Sequence, residues 1–381
     1  MAGLLSSIGV FGQCGQTGDT LFVYADEDWA QLLECDSVYG SLEISHWDIS
    51  NLDNLLDLVW IEEHLILDEN ISLLNDDGLS GIQHIGGDLV YANNFTLQEI
   101  NSLAGLQSLG GSLVFDGNIT LISIDGFENL STIQGDLIFR ENHTLEAFNG
   151  LQNLTAVEGD LEFESQNLVL NNFDGLDALQ SVGGDVSISL PLLLAVDGLN
   201  AIQTIGGSLT VNDMTLCANI EGLGALESVG EDLLINDNTG MVHVNGLTSL
   251  LFVGGDVDVS DNPSLFLCCG LQPLLSDGTV DGITLVEENG FNCDSPEEIL
   301  EECAESVVEQ ENPIQFHLQG HNVVVTGFGE IHTRLIDPSG RLLGEAHGDQ
   351  RVIMDLPNAK GAFVVVAKQS DGRSGSEVIL R

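Results

Sequence analysis

Residues 110–121 read GGSLVFDGNITL; GGDLVYANNFTL precedes them at 86–97 and QGDLIFRENHTL follows at 134–145. Most copies carry glycine, a short polar residue, leucine, an alternating apolar pair and then asparagine. The aliphatic residue after the short polar one serves as a marker. It falls at Leu42, Leu65, Leu89, Leu113, Leu137, Leu161, Val186, Leu209, Leu233 and Val257, at spacings of 23 to 25 residues. Ten residues before most markers stands a second one: Leu79, Leu103, Phe127, Leu151, Leu176, Leu199, Leu223 and Leu247. Self-similarity at a fixed period of this size is the mark of a repeat architecture. About ten 24-residue turns predict an all-β chain with a parallel β-helix or solenoid over 39–276.

The unit can be read from strand geometry. Side chains alternate along a strand, so the marker and the residue two further on share a face. That second column reads Ile44, Leu67, Tyr91, Phe115, Phe139, Phe163, Ile188, Val211, Ile235 and Val259, all apolar and therefore expected inside. One unit cannot bury this face alone; stacked neighbours build the core. The residue after each marker should point outward: Glu43, Ile66, Val90, Val114, Ile138, Glu162, Ser187, Thr210, Leu234 and Asp258. The consecutive run Ile66, Val90, Val114 and Ile138 forms an apolar ridge, with Arg140 two residues beyond Ile138, and is the candidate binding surface. β-branched residues also favour strands for their own sake, so a ridge of this kind has a plain structural reading too.

Paired glycines such as Gly86-Gly87 and Gly110-Gly111 mark a corner that needs positive φ or a close backbone approach. Five residues after the marker stand Asn70, Asn94, Asn118, Asn142, Asn238 and Asn262, whose stacked amides can satisfy backbone groups at a bend. The column is expected to break at Gln166, Pro191 and Met214. The triplets NFT, NIT and NHT match a glycosylation acceptor, but the repeat itself accounts for them.

Charge divides the chain. Residues 1–312 carry 53 acids and one base, Arg140, whereas 313–381 carry seven acids and seven bases. The net charge of −52 argues against nucleic acid as a partner, because both are polyanions. The break and Pro313 place a linker and domain boundary there. Segments such as HNVVVTG, RLIDPSGRLLGE and RVIMDLP alternate apolar and polar residues, which predicts a β-sandwich of six or seven short strands over 313–381.

The recurring L-x-x-[LIV]-x-G-[DS]-L-x-[IVF]-x-x-N, as in Leu106, Leu109, Gly111, Ser112, Leu113, Phe115 and Asn118, resembles the receptor L-domain family over about 38–275. The four-residue step from Leu109 to Leu113, longer than in an ordinary leucine-rich repeat, favours that β-helix over a horseshoe with outer helices. The resemblance implies a module that binds protein ligands and transfers no contact residue. The tail, through its GRLL strand at 340–343, DLPNAKGAFVVV at 355–366 and the final EVILR, resembles the carboxy-terminal sorting domain of Bacteroidetes type IX secretion cargo. That resemblance implies passage through the periplasm and outer membrane by the type IX machinery, then removal of the tail.

Cysteines bracket the array. Cys14 and Cys35 flank a cap over 13–38, where DEDWAQLLE predicts a short helix with Asp26 as N-cap. Cys268, Cys269, Cys293 and Cys303 mark a second cap and linker over 277–312, with Ser295, Pro296 and Glu298 arranged to start a helix. Disulfides are favoured over zinc, since no C-x-x-C occurs and no histidine stands beside these cysteines; the pairing stays open. Cys217 is expected free and buried. Disulfides imply an oxidising, extracytoplasmic compartment, and LLSSIGVFG at 4–12 reads as the remnant of a signal peptide over 1–12. No segment is long and apolar enough for a membrane span.

Motifs of catalysis are missing: no G-x-S-x-G, Walker A or H-E-x-x-H occurs. His317 and His321 are read as surface residues, not as metal ligands. DVDVSDN at 256–262 approximates a calcium loop but lacks its glycine; calcium is the one cofactor kept as an alternative, against a plainly solvated acidic surface. Two function classes remain. One is a secreted or cell-surface, non-enzymatic binding or adhesion protein with a protein or glycan ligand. The other is an extracellular polysaccharide hydrolase or lyase on a β-helix scaffold.

Overall fold

A computed structural model describes residues 12–164, 169–170, 172–304, 315–319, 322–336, 342–355, 362–369 and 374–380. Residues 4–11 of the signal-like segment, Gln166, Pro313 and His321 lie outside these. The chain is mostly strand, and a parallel sheet of 22 strands dominates it. Two runs of strands build it. One consists mainly of longer strands at the markers, such as Leu89–Ala92, Leu113–Asp116 and Leu137–Arg140, paired Leu89↔Leu113↔Leu137. The other consists of two-residue strands such as His84–Ile85, Ser108–Leu109 and Thr132–Ile133. Each strand bonds its counterpart one repeat away, so the chain coils as a solenoid.

The inward columns are buried as the alternation requires. Both marker columns and the column from Ile44 to Val259 lie inside. In the middle of the array that column is aromatic, and the rings stack with centroids 5.8 Å apart for Tyr91–Phe115, 5.3 Å for Phe115–Phe139 and 4.9 Å for Phe139–Phe163. The Tyr91 hydroxyl cannot reach water and donates to Asp76 at 3.2 Å.

Two polar ladders fix the period. In the first, a buried asparagine amide donates to a backbone carbonyl of an earlier coil and, where the next coil also carries asparagine, to that residue: Asn118 Nδ2 reaches Tyr91 O at 2.8 Å and Asn142 Oδ1 at 3.4 Å. Its own Oδ1 accepts the Asn94 N–H at 3.1 Å. The ladder resumes at Asn238 and Asn262 and ends on Asn289, a member not read from the sequence. Leu190, not Pro191, stands in register. Its N–H meets Met214 Sδ at 3.3 Å, so the thioether replaces an amide as a weak acceptor.

The second ladder uses the short polar residue before the marker. Asp136 Oδ1 accepts the N–H of Asp160, Asp160 Oδ1 that of Asp185, and Asp185 Oδ1 that of Ser208, at 2.7–2.8 Å. The corner glycines follow from it. They do not have positive φ; the first of each pair lies against a backbone carbonyl of the previous coil, as Gly110 does on Gly86 O, and the second, in most coils, makes room for that coil's carboxylate. A Cβ on Gly159 would stand 2.1 Å from Asp136 Oδ1, and on Gly184 2.0 Å from Asp160 Oδ1. Glu63 and Glu231 hold the same position over Ser41 and Ser208, which are smaller.

The ends depart from expectation. The N-terminal cap is a strand, Gly12–Val23, laid parallel on Cys35–Ile44, followed by a 3-10 helix at Asp26–Leu32. Ala25, not Asp26, precedes that helix and no side chain caps it; the Asp28 carboxylate instead accepts the N–H of Tyr24 at 2.9 Å. At the other end both strand runs continue past residue 276, through Thr279–Val280 and Thr284–Glu287. Threonine there replaces the aliphatic marker and hid this coil in the sequence. The helix Pro296–Ala304 follows, its Glu298 N–H donating to Ser295 Oγ at 3.2 Å while the Glu298 carboxylate reaches back to the Asp294 N–H.

Three disulfides close the ends: Cys14–Cys35, Cys268–Cys293 and Cys269–Cys303. Cys217 is free and buried, and loss of hydration pushes its thiol up to about 11. The described tail residues form one antiparallel sheet of five strands, where a sandwich of six or seven short strands was expected. Asn322–Ile336 runs unbroken through the glycines at 327 and 329, with a register shift between Thr326 and Glu330.

Candidate functional site

The outward column is in register as the alternation demands: Ile66↔Val90, Val90↔Val114 and Val114↔Ile138 pair across successive coils. These four side chains are half-buried. Arg140 lies on the same face but is not a free cation. Its guanidinium grips both Glu162 oxygens, at 3.3 and 2.5 Å, and reaches Glu164 at 3.2 Å. The hydrogen bond to Glu162 raises the guanidinium further above its ordinary range, and a hydrogen bond with Glu162 also raises the Glu164 carboxyl. Loss of hydration and the neighbouring Glu141 raise Asp116, beside Arg140.

A second apolar column, missed in the sequence, stands further out. The residue before each ladder asparagine has left-handed backbone, with φ of 55° at Glu69, 53° at Asn93, 66° at Gly117 and 50° at Glu141. That reversal turns the asparagine inward and the following residue outward. The outward residues are Trp47, Ile71, Phe95 and Ile119, exposed by 61, 41, 40 and 40 %. Trp47 belongs to this column because the His46 N–H takes the ladder bond to Asn70 Oδ1 at 3.0 Å.

The N-x-T triplets hold this column. Asn94, Asn118 and Asn142 are fully buried and spend their amides in the ladder, so the folded protein offers no glycan acceptor there. The threonine hydroxyl bonds the carbonyl of the outward residue one coil earlier: Thr96 on Ile71 at 3.1 Å, Thr120 on Phe95 at 2.9 Å and Thr144 on Ile119 at 3.0 Å. Ile71, Phe95 and Ile119 are thus each presented on a backbone held by the asparagine beside them and by the threonine of the next coil. The sequence signal was the apolar residue after the ladder asparagine in three consecutive coils, Ile71, Phe95 and Ile119.

A groove of about 320 Å³ opens along this column, lined by Ser45, His46, Trp47, Glu69, Ile71, Asn93 and Phe95. The Glu69 carboxylate and the aromatic rings of Trp47 and Phe95 meet there.

The residues of DVDVSDN are drawn apart. Asp256 Oδ1 accepts the Ile283 N–H, Asp258 accepts from Ser260 Oγ, Asp261 forms the left-handed corner and Asn262 is buried in its ladder. Among the described residues no group of three or more His, Cys, Asp or Glu is placed to hold a metal ion. No described helix is long and apolar enough to cross a membrane. Comparison with protein-family models and with curated proteins found no match.

Proposed function

We propose that the chain is a secreted or cell-surface binding protein, non-enzymatic, that presents one face of its coil to a protein or glycan ligand. The observation that carries this reading is the doubled apolar surface. The half-buried ridge Ile66, Val90, Val114 and Ile138 and the exposed column Trp47, Ile71, Phe95 and Ile119 occupy neighbouring coils. Exposed apolar surface of this extent marks contact sites on soluble proteins, and the ladders supply a rigid backing that lowers the ordering cost of binding. Three disulfides favour an oxidising compartment.

The receptor L-domain kinship of the coil and the type IX sorting role of the tail are part of the same proposal. They rest on sequence resemblance and on the charge break near residue 312. Mass spectrometry of exported protein tests the sorting role: a mature form lacking the tail is expected, and an intact Arg381 terminus counts against it.

Pull-down from a native surface and a glycan array, each run with wild type and with Val90→Asp/Val114→Asp, test the binding role. The double variant places two carboxylates on facing half-buried positions, so capture is compared under conditions where its circular dichroism matches wild type. Loss of a captured ligand supports the ridge; unchanged capture removes the ridge from the site. Polysaccharide turnover abolished by a single carboxylate substitution would establish an enzyme instead.

A further inference from the structure

We infer that the groove at Trp47, Glu69 and Phe95 takes the lysine or arginine side chains of an extended basic segment of a partner protein. This deepens the binding reading and rests on it.

The groove combines two attractions for a cation. The exposed faces of Trp47 and Phe95 offer cation–π contact, for which tryptophan is the best ring and arginine the commonest partner. Glu69 lines the same groove and offers a carboxylate, with Ser45, His46 and Asn93 as further polar partners. Ile71, between the two rings in the column, supplies apolar surface for the aliphatic stems that long basic side chains lay along such faces.

Charge selects the partner's class. Residues 1–312 hold 53 acids against Arg140 alone, and Arg140 is held by Glu162 and Glu164. No lysine or arginine of that region can therefore answer Glu69 or the adjoining Asp48 and Asp68. A field of one sign concentrates oppositely charged partners and speeds their encounter. Uronate-bearing or sulfated glycans are repelled by the same field.

Length selects an extended segment. Neighbouring coils in a parallel sheet lie about 4.8 Å apart, so the column from Trp47 to Ile119 spans roughly 14 Å, close to four residues of extended chain. The backbone behind it is fixed by the asparagine ladder and the threonine bonds, so the groove is formed before the ligand arrives.

The test uses the full chain and fluorescently labelled octalysine and octa-arginine, with octaglutamate and a neutral β-linked oligosaccharide as comparisons, read by anisotropy and calorimetry at fixed ionic strength. Both basic peptides should bind, and Trp47→Ala and Glu69→Gln should each weaken binding by roughly fivefold, the size of one exposed cation–π contact for the first and of one surface ion pair for the second. Leu194→Ala, at an exposed apolar site in a later coil, should leave it unchanged. Equal binding by wild type and both groove variants would mean diffuse polyelectrolyte attraction and would overturn the assignment. So would oligosaccharide binding that Trp47→Ala abolishes while the peptides give no response. A ridge-dependent ligand found by pull-down without any peptide response defeats this inference alone; silence in every assay defeats the binding reading itself.

Discussion

At the scale of single residues, the fold is held by groups that have no alternative partner. Asn118 is fully buried, donates to Tyr91 O and Asn142 Oδ1, and accepts from the Asn94 N–H. Asn118→Ala would strand that N–H and the Tyr91 carbonyl, each at about 1–3 kcal/mol. We expect a loss of about 3 kcal/mol or more in urea unfolding, far beyond an exposed asparagine such as Asn153. Gly159→Ala tests the carboxylate ladder, because the new Cβ would meet Asp136 Oδ1 at 2.1 Å. The variant should be destabilised by about 1–3 kcal/mol, the usual cost of overpacking. Asp136→Ser in the same chain should restore part of it, as serine lies beneath Glu63 and Glu231. No recovery in the double variant would show that backbone crowding dominates.

Asp76 gives a pH signature. Burial raises its carboxyl, outweighing the hydrogen bonds from Ser102, Asn101 and Tyr91. The folded state therefore holds a proton that the unfolded state releases. Between the ordinary aspartate value, about 3.9, and the raised one, stability falls as pH rises. Asp76→Asn keeps an acceptor for Asn101 and carries no charge. It should be more stable than wild type at pH 7 by on the order of 1 kcal/mol, with the gap closing below the ordinary aspartate range. Chemical denaturation at both pH values measures this.

At the scale of elements, repeats contact chiefly their neighbours, so stability is close to a sum of local terms. The disulfides lie at the two ends of the coil, where one neighbour is missing. Reduction should therefore raise amide exchange in Gly12–Ile44 and in 265–304 first, leaving Leu113–Phe163 protected; uniform loss of protection along the coil would contradict this. Cys217 should stay unreactive toward a thiol reagent until the chain unfolds, since it is buried and its thiol is pushed up to about 11.

At the scale of the whole molecule, the net charge of −52 repels itself. Added salt shortens the Debye length from about 10 Å at 0.1 M to about 3 Å at 1 M, so the melting temperature should rise with sodium chloride. At matched ionic strength, calcium chloride should give the same melting temperature, because no three-donor cluster stands among the described residues. A further rise with calcium, reversed by chelation, would show that a site exists.

The coil was legible in the sequence because its determinants are periodic and local. Every 23 to 25 residues an alternating apolar pair recurs, and burying that face requires stacking. The markers, the inward aromatics and the six bracketing cysteines follow from this without coordinates. The aspartate ladder, the reason for the glycines above it and the cysteine pairing join residues of neighbouring coils, so only the tertiary structure decided them. Thr284 and Asn289 were invisible because the last coil no longer needs an aliphatic marker to take its place in the sheet. Trp47 was hidden by a one-residue irregularity at Ser45 and His46 that shifts it into the column of Ile71 and Phe95. The sequence placed Arg140 beside the ridge, but its two glutamate partners lie one coil further on. Periodicity states which way a side chain points; which charge it meets there depends on the packing of the next coil.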